Sequence, residues 1–71
     1  MKLSFNKWLK SQRSADTAVG DLARDVAYDA GFPKRGSLQT YVKHLEHKYA
    51  CDGARYALTA AWSQWQESIR Q

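Results

Sequence analysis

Seventy-one residues, 44% of them apolar and with a formal net charge of +4, argue for one folded domain with one core and against a disordered chain. A lone cysteine, Cys51, excludes a disulfide framework and fits a reducing compartment. No run approaches the ~20 apolar residues of a bilayer span, and the opening Met1-Lys2-Leu3-Ser4-Phe5-Asn6-Lys7 carries charge where a signal peptide needs an apolar stretch, so a cytoplasmic protein without a membrane partner is expected.

The first helix is expected over about 4–13. Ser4 stands where an N-cap is needed, and Phe5, Trp8, Leu9 and Gln12 trace one face. Lys7, Lys10 and Arg13 fall on another side at i, i+3 and i+6. Lys10 and Arg13 suit the negative end of the helix dipole without any ligand. Ser14-Ala15-Asp16 reads as a connection.

A second helix follows over 18–30. Val19, Leu22, Ala23, Val26, Ala27 and Ala30 form a narrow stripe rich in small residues, suited to the close approach of a neighbouring helix. Gly20 serves the same end at a cost in helix propensity. Asp21, Asp25 and Asp29 line another face at strict i, i+4 spacing, where like charges repel weakly. That face is either solvated or the contact for a basic partner. Gly31, as a C′ residue of positive φ, and Pro33 close the helix, with Phe32 pinned into the core between them. Lys34, Arg35 and Gly36 make an exposed basic tip.

Ser37 caps a third helix, over about 37–47, with Leu38, Tyr41, Val42 and Leu45 facing inward and Gln39, Thr40 and Lys43 outward. Tyr49 and Ala50 lead to a turn at Asp52-Gly53, Asp52 capping the last helix at 53–69. Ala54, Leu58, Ala61, Trp62, Trp65 and Ile69 fall at i, i+4, i+7, i+8, i+11 and i+15, one stripe of a 3.6-residue helix. Burying a tryptophan removes ~150–250 Å² from water, a few kcal/mol at about 25 cal/mol per Å². Trp62 and Trp65 are therefore expected inside the cluster, and this helix as the wall for the others. With no period-2 run anywhere, the fold class is all-α, a compact bundle of four to five helices in a single domain, 1–71.

Ser4-Phe5 followed by Trp8-Leu9, then Gly20-Asp21-Leu22-Ala23 with Asp25, Phe32-Pro33-Lys34 and Leu45-Glu46, resemble the YozE SAM-like family of small bacterial proteins. The aromatic last helix around Trp62 and Trp65 is similar to that family's C-terminal helix, and the resemblance spans roughly residues 4 to 67. It implies a bundle like the sterile alpha motif, a fold used for protein–protein and sometimes nucleic-acid contacts. It implies Phe5, Trp8, Leu22, Phe32 and Pro33 as core and turn-setting positions, and carries over no catalytic or ligand residues. Family members tend to be acidic around the third helix; here Lys43, His44, His47 and Lys48 stand there, with Arg55 beyond, so a shared partner does not follow from a shared fold.

Candidate chemistry is sparse. His44, His47 and Cys51 stand in H-x2-H-x3-C spacing, a start for a zinc site with Asp52 as an oxygen ligand, but a structural site clamps two separated ligand pairs and no second pair exists. Two half-exposed histidines and a small buried thiol, with no metal or cofactor, are the expectation. A Cys51–His47 dyad lacks any sign of an oxyanion hole, and there is no Gly-rich phosphate loop, so no catalytic residue is assigned.

The basic balance, with a pI near 9.5, favours polyanionic or acidic partners. Two functions follow. The first is a non-enzymatic helical module docking a protein partner through its charged faces and an exposed aromatic such as Tyr28 or Tyr56. The alternative is a small DNA- or RNA-binding protein, since Ala27-x3-Gly31-Phe32 and the helix after it mimic a helix-turn-helix, with Gln39, Thr40 and Lys43 set to reach base edges and phosphates. Its turn from Gly31 to Gly36 is longer than that motif's usual three or four residues. In either case contacts would come from Lys34, Arg35, Gln39, Thr40, Lys43 and Lys48, joined by Lys7 and Lys10. Weak self-association, the acidic stripe of one copy on the basic tip of another, is a further expectation.

Overall fold

In the computed structural model, which describes residues 3–48 and 52–70, four helices carry the chain: α1 (Phe5–Ser11), α2 (Ala18–Ala27), α3 (Leu38–Lys48) and α4 (Asp52–Arg70). No strand occurs among the described residues. The α4 helix packs against each of the other three, and α1 also packs on α2. The backbones of α2 and α3 do not approach one another; each leans on α4 separately.

Local chemistry sets the ends of these helices. The Ser4 hydroxyl accepts the Lys7 N–H at 3.3 Å, and the Thr17 hydroxyl accepts that of Gly20 at 3.1 Å, each satisfying a donor that has no partner within its helix. Gly20 is buried, and its missing side chain makes room for the connection rather than for another helix. A Cβ there would collide with the carbonyl oxygen of Ala15. Arg24 holds that connection in place, its Nη1 donating to the carbonyls of Arg13 at 2.7 Å and Ala15 at 3.1 Å, while its Nη2 pairs with Asp21.

The second helix stops at Ala27, short of the expected Ala30, and not through a glycine cap. Only Gly36 takes a positive φ, 137°, among the described glycines. Instead the Asp29 carboxylate turns inward, where Oδ1 accepts the Gly31 N–H at 3.0 Å and Oδ2 meets His44 Nε2 at 2.7 Å. A side chain bonding its neighbouring backbone offers the chain an alternative to another helical turn. Phe32 is then driven into the core, 5.2 Å from the Tyr41 ring and edge-on to His44. At Gly36 a Cβ would fall 2.7–2.8 Å from the Thr40 side chain, so this pivot suits glycine twice over.

The core is drawn from all four helices and the Phe32 turn: Phe5 and Leu9; Val19, Leu22, Ala23 and Val26; Phe32; Tyr41 and Leu45; and Ala57, Leu58 and Ala61. The expected α4 stripe is present, but Trp62 and Trp65 are only partly buried, flanking the core rather than forming its centre. Phe5 is the hub of the aromatic cluster, its ring centroid 4.9 Å from Tyr41, 4.9 Å from Trp62 and 5.6 Å from Trp65. The Trp65 indole N–H donates to the Leu3 carbonyl at 2.9 Å. Asp52 and Gly53, expected as a cap and a turn, already belong to the first turn of α4, where the Asp52 carboxylate complements the helix dipole. Tyr49, Ala50 and Cys51 lie outside the described residues.

Candidate functional site

Lys7 and Lys10 lie one turn apart on α1, and Lys34 and Arg35 lie on the tip between α2 and α3. Far apart in sequence, the two pairs meet in space. With Ser4 and Asn6 they line a concavity of about 490 Å³. The link is Asn6, a buried polar residue at 6% exposure, whose Nδ2 donates to the carbonyl of Pro33 at 2.7 Å. Phe32 in the core and Asp29 on His44 hold the same turn from its other side. Lys7, Lys34 and Arg35 are exposed, and Lys10 is half-buried. Four cations around one groove raise the local potential for anions well above that of scattered surface lysines.

The other expected contacts stand elsewhere. Gln39, Thr40, Lys43 and Lys48 are exposed along α3 and take no part in lining this groove. The Thr40 side chain is packed beside Gly36. A helix-turn-helix needs its two helices braced on each other so that the second projects from the first. The α2 and α3 backbones make no such close contact along the Gly31–Lys43 segment.

The acidic face is also divided. Asp21 and Asp25 line a groove of about 330 Å³ between α2 and α4, with Ala18, Leu22, Gly53, Ala54 and Ala57. Asp29 does not join them, because its side chain is 4% exposed and bound to His44. Asp21 also pairs with Arg24, and the first turns of both helices bring partial positive charge to this groove. Tyr28 at 93% and Tyr56 at 73% exposure are large aromatics left in solvent, the second beside Val42, Asp52, Arg55 and Thr59 in a shallower depression. His44 Nε2 faces Asp29, and Cys51 lies outside the described residues, so the H-x2-H-x3-C spacing is not seen to converge. No helix among the described residues is long and apolar enough to cross a membrane.

Asn6 and the Asp29–His44 pair are the features that sequence reading passed over. Asn6 did leave a sign. It lies three residues before Leu9, at the edge of the apolar stripe, where a short polar side chain that is covered needs a buried partner. Nothing local joins Asp29 to a histidine 15 residues on.

The described residues make a small all-α bundle of four helices. The family model of the YozE SAM-like fold matches residues 4–67, and the chain belongs to that family. No curated protein and no solved structure matches it.

Proposed function

We propose that this protein is a non-enzymatic helical interaction module, and that the groove between α1 and the 33–36 turn receives an acidic segment of a protein partner. One observation carries the reading: Lys7, Lys10, Lys34 and Arg35, from two distant stretches of chain, line a single concavity. A groove pinned at Asn6, Phe32 and Asp29 needs little ordering on binding, which leaves more of the electrostatic attraction as affinity. Tyr28, almost wholly exposed, is the type of aromatic that anchors protein interfaces.

Two features favour an acidic peptide over nucleic acid. Lys7, Lys10, Lys34 and Arg35 line one notch that Lys43 and Lys48 of α3 do not line, a local cluster that suits a short acidic segment. The α2 and α3 backbones also make no close contact of the kind that braces a recognition helix.

Calorimetric titration with a hexaglutamate peptide and with short duplex DNA, at about 50 and 200 mM salt, tests the reading. The peptide should bind and weaken with salt. The double variant Lys34→Glu/Arg35→Glu should lose about tenfold in affinity or more, whereas Lys43→Glu/Lys48→Glu should lose far less. Absence of peptide binding at low salt, or equal losses from the two variants, would overturn it. Tighter binding to the duplex, with a log–log salt slope near about −3.6 for four phosphates, would transfer the function to nucleic acid.

A further inference from the structure

The basic groove is assembled from two halves, and the structure shows one polar contact between them. Lys7 and Lys10 are fixed by α1, whose Phe5 and Leu9 are anchored in the core. Lys34 and Arg35 sit on an irregular turn with no helix or strand to hold their backbone. Between the halves lies the Asn6 carboxamide, buried at 6%, its Nδ2 2.7 Å from a carbonyl 27 residues away. That carbonyl belongs to Pro33, which has no N–H of its own and immediately precedes Lys34.

We infer that Asn6 is the positioning residue of this groove, a latch that holds the Lys34–Arg35 turn against α1 so that both cation pairs face one anion. The inference rests on the anion-binding reading above and names the residue that makes it geometrically possible. The alternatives for position 6 make the case sharper. A purely structural side chain between Phe5 and Leu9 would serve the core best as an aliphatic group, since burying a carboxamide is unfavourable until it is hydrogen-bonded. Asn6 also lines the groove itself, together with both cation pairs. The far side of the turn is held independently, through Phe32 and Asp29, and then by the Gly36 pivot beside Thr40. Releasing Asn6 would therefore free the 33–36 stretch without unseating its neighbours.

The test uses the full chain with Asn6→Leu, which keeps the forked shape of the side chain and removes the donor, and two readouts. The first is backbone amide NMR relaxation, suited to a turn whose N–H groups are exposed. A latch predicts lower order parameters confined to Lys34, Arg35 and Gly36, with those of Leu58 and Ala61 unchanged. A merely structural asparagine would lower them across the core together with the turn. The second is hexaglutamate affinity. The variant should bind about fivefold to tenfold more weakly, and in its background Lys34→Glu/Arg35→Glu should cost less than in the wild type, because the turn no longer contributes fully. Unchanged order parameters at Lys34–Gly36, or unchanged affinity despite lower ones, would overturn the latch while leaving the groove's function standing. Failure of the wild type to bind hexaglutamate would instead remove the function and the latch with it. Should Asn6→Leu not fold, Asn6→Asp, equal in size and without the donor when ionised, replaces it in the relaxation measurement, with the same outcomes deciding.

Discussion

Replacing Asp29 by alanine would strip the Gly31 N–H of its acceptor and His44 Nε2 of its carboxylate in one step. Gly31 is exposed, so water can take over its N–H, but the His44 side chain is only 20% exposed and water replaces the carboxylate there poorly. A buried polar group left unpaired costs about 1–3 kcal/mol, and with one of the two partners rescued by water the expected loss for Asp29→Ala lies toward the lower end. Urea unfolding would show it as a lower midpoint at unchanged slope. An unaltered midpoint would mean that the turn holds itself by other contacts. The same residue explains a failure of sequence reading. Strict i, i+4 spacing from Asp21 through Asp25 places Asp29 on an acidic face only if the helix continues. The helix stops because Asp29 is bonded elsewhere, and its partner comes from a helix that local periodicity cannot see.

At the scale of elements, α2 and its entry depend on the absence of a side chain. Gly20→Ala would gain about 1 kcal/mol of helix propensity. It would also drive a methyl group into the Ala15 carbonyl, which Arg24 holds in place. Overpacking of this kind costs about 1–3 kcal/mol, so the clash outweighs the propensity and the variant should melt lower. For a domain of this size each kcal/mol shifts Tm by about 4–8 °C, within easy reach of calorimetry; a raised Tm would show that the 13–15 connection yields. The existence of all four helices was legible because their apolar spacing is regular. Ala57, Leu58 and Ala61 are buried in α4, and Tyr41 and Leu45 in α3. The glycine at position 20 was legible as a site of close approach, but not what approaches, because an irregular connection carries no periodicity. Lys34 and Arg35 read as a basic tip from composition alone; their meeting with Lys7 and Lys10 depends on the Asn6 contact, which spans 27 residues.

For the whole molecule the aromatic cluster joins α1, α3 and α4 around Phe5 and Tyr41. Tyr41 is 1% exposed, and its burial pushes the phenol above its ordinary pKa of about 10. The sign of the consequence is fixed by linkage. An unfolded chain releases this proton first, so the stabilisation is intact below about pH 10 and drains away as pH climbs through the folded-state value. Alkaline unfolding should therefore start earlier in the wild type than in Tyr41→Phe, followed by far-UV dichroism; coincident curves would remove Tyr41 from the cause. Large side chains such as Trp62 and Trp65 signal burial by their area, yet both are only partly covered, because Phe5, Leu9 and Tyr41 already fill the interior that they would enter. Sequence ranks residues by size, whereas packing assigns depth by shape, and a bundle this small has room for few rings at its centre.

The bond from the Trp65 indole to the Leu3 carbonyl spans 62 positions of the chain. It gives the protein a fluorophore whose polar edge is occupied only while Leu3 is seated. Release of Leu3 would hand the indole N–H to water and redden its emission, with no dye attached, a signal isolated by replacing Trp8 and Trp62 with phenylalanine.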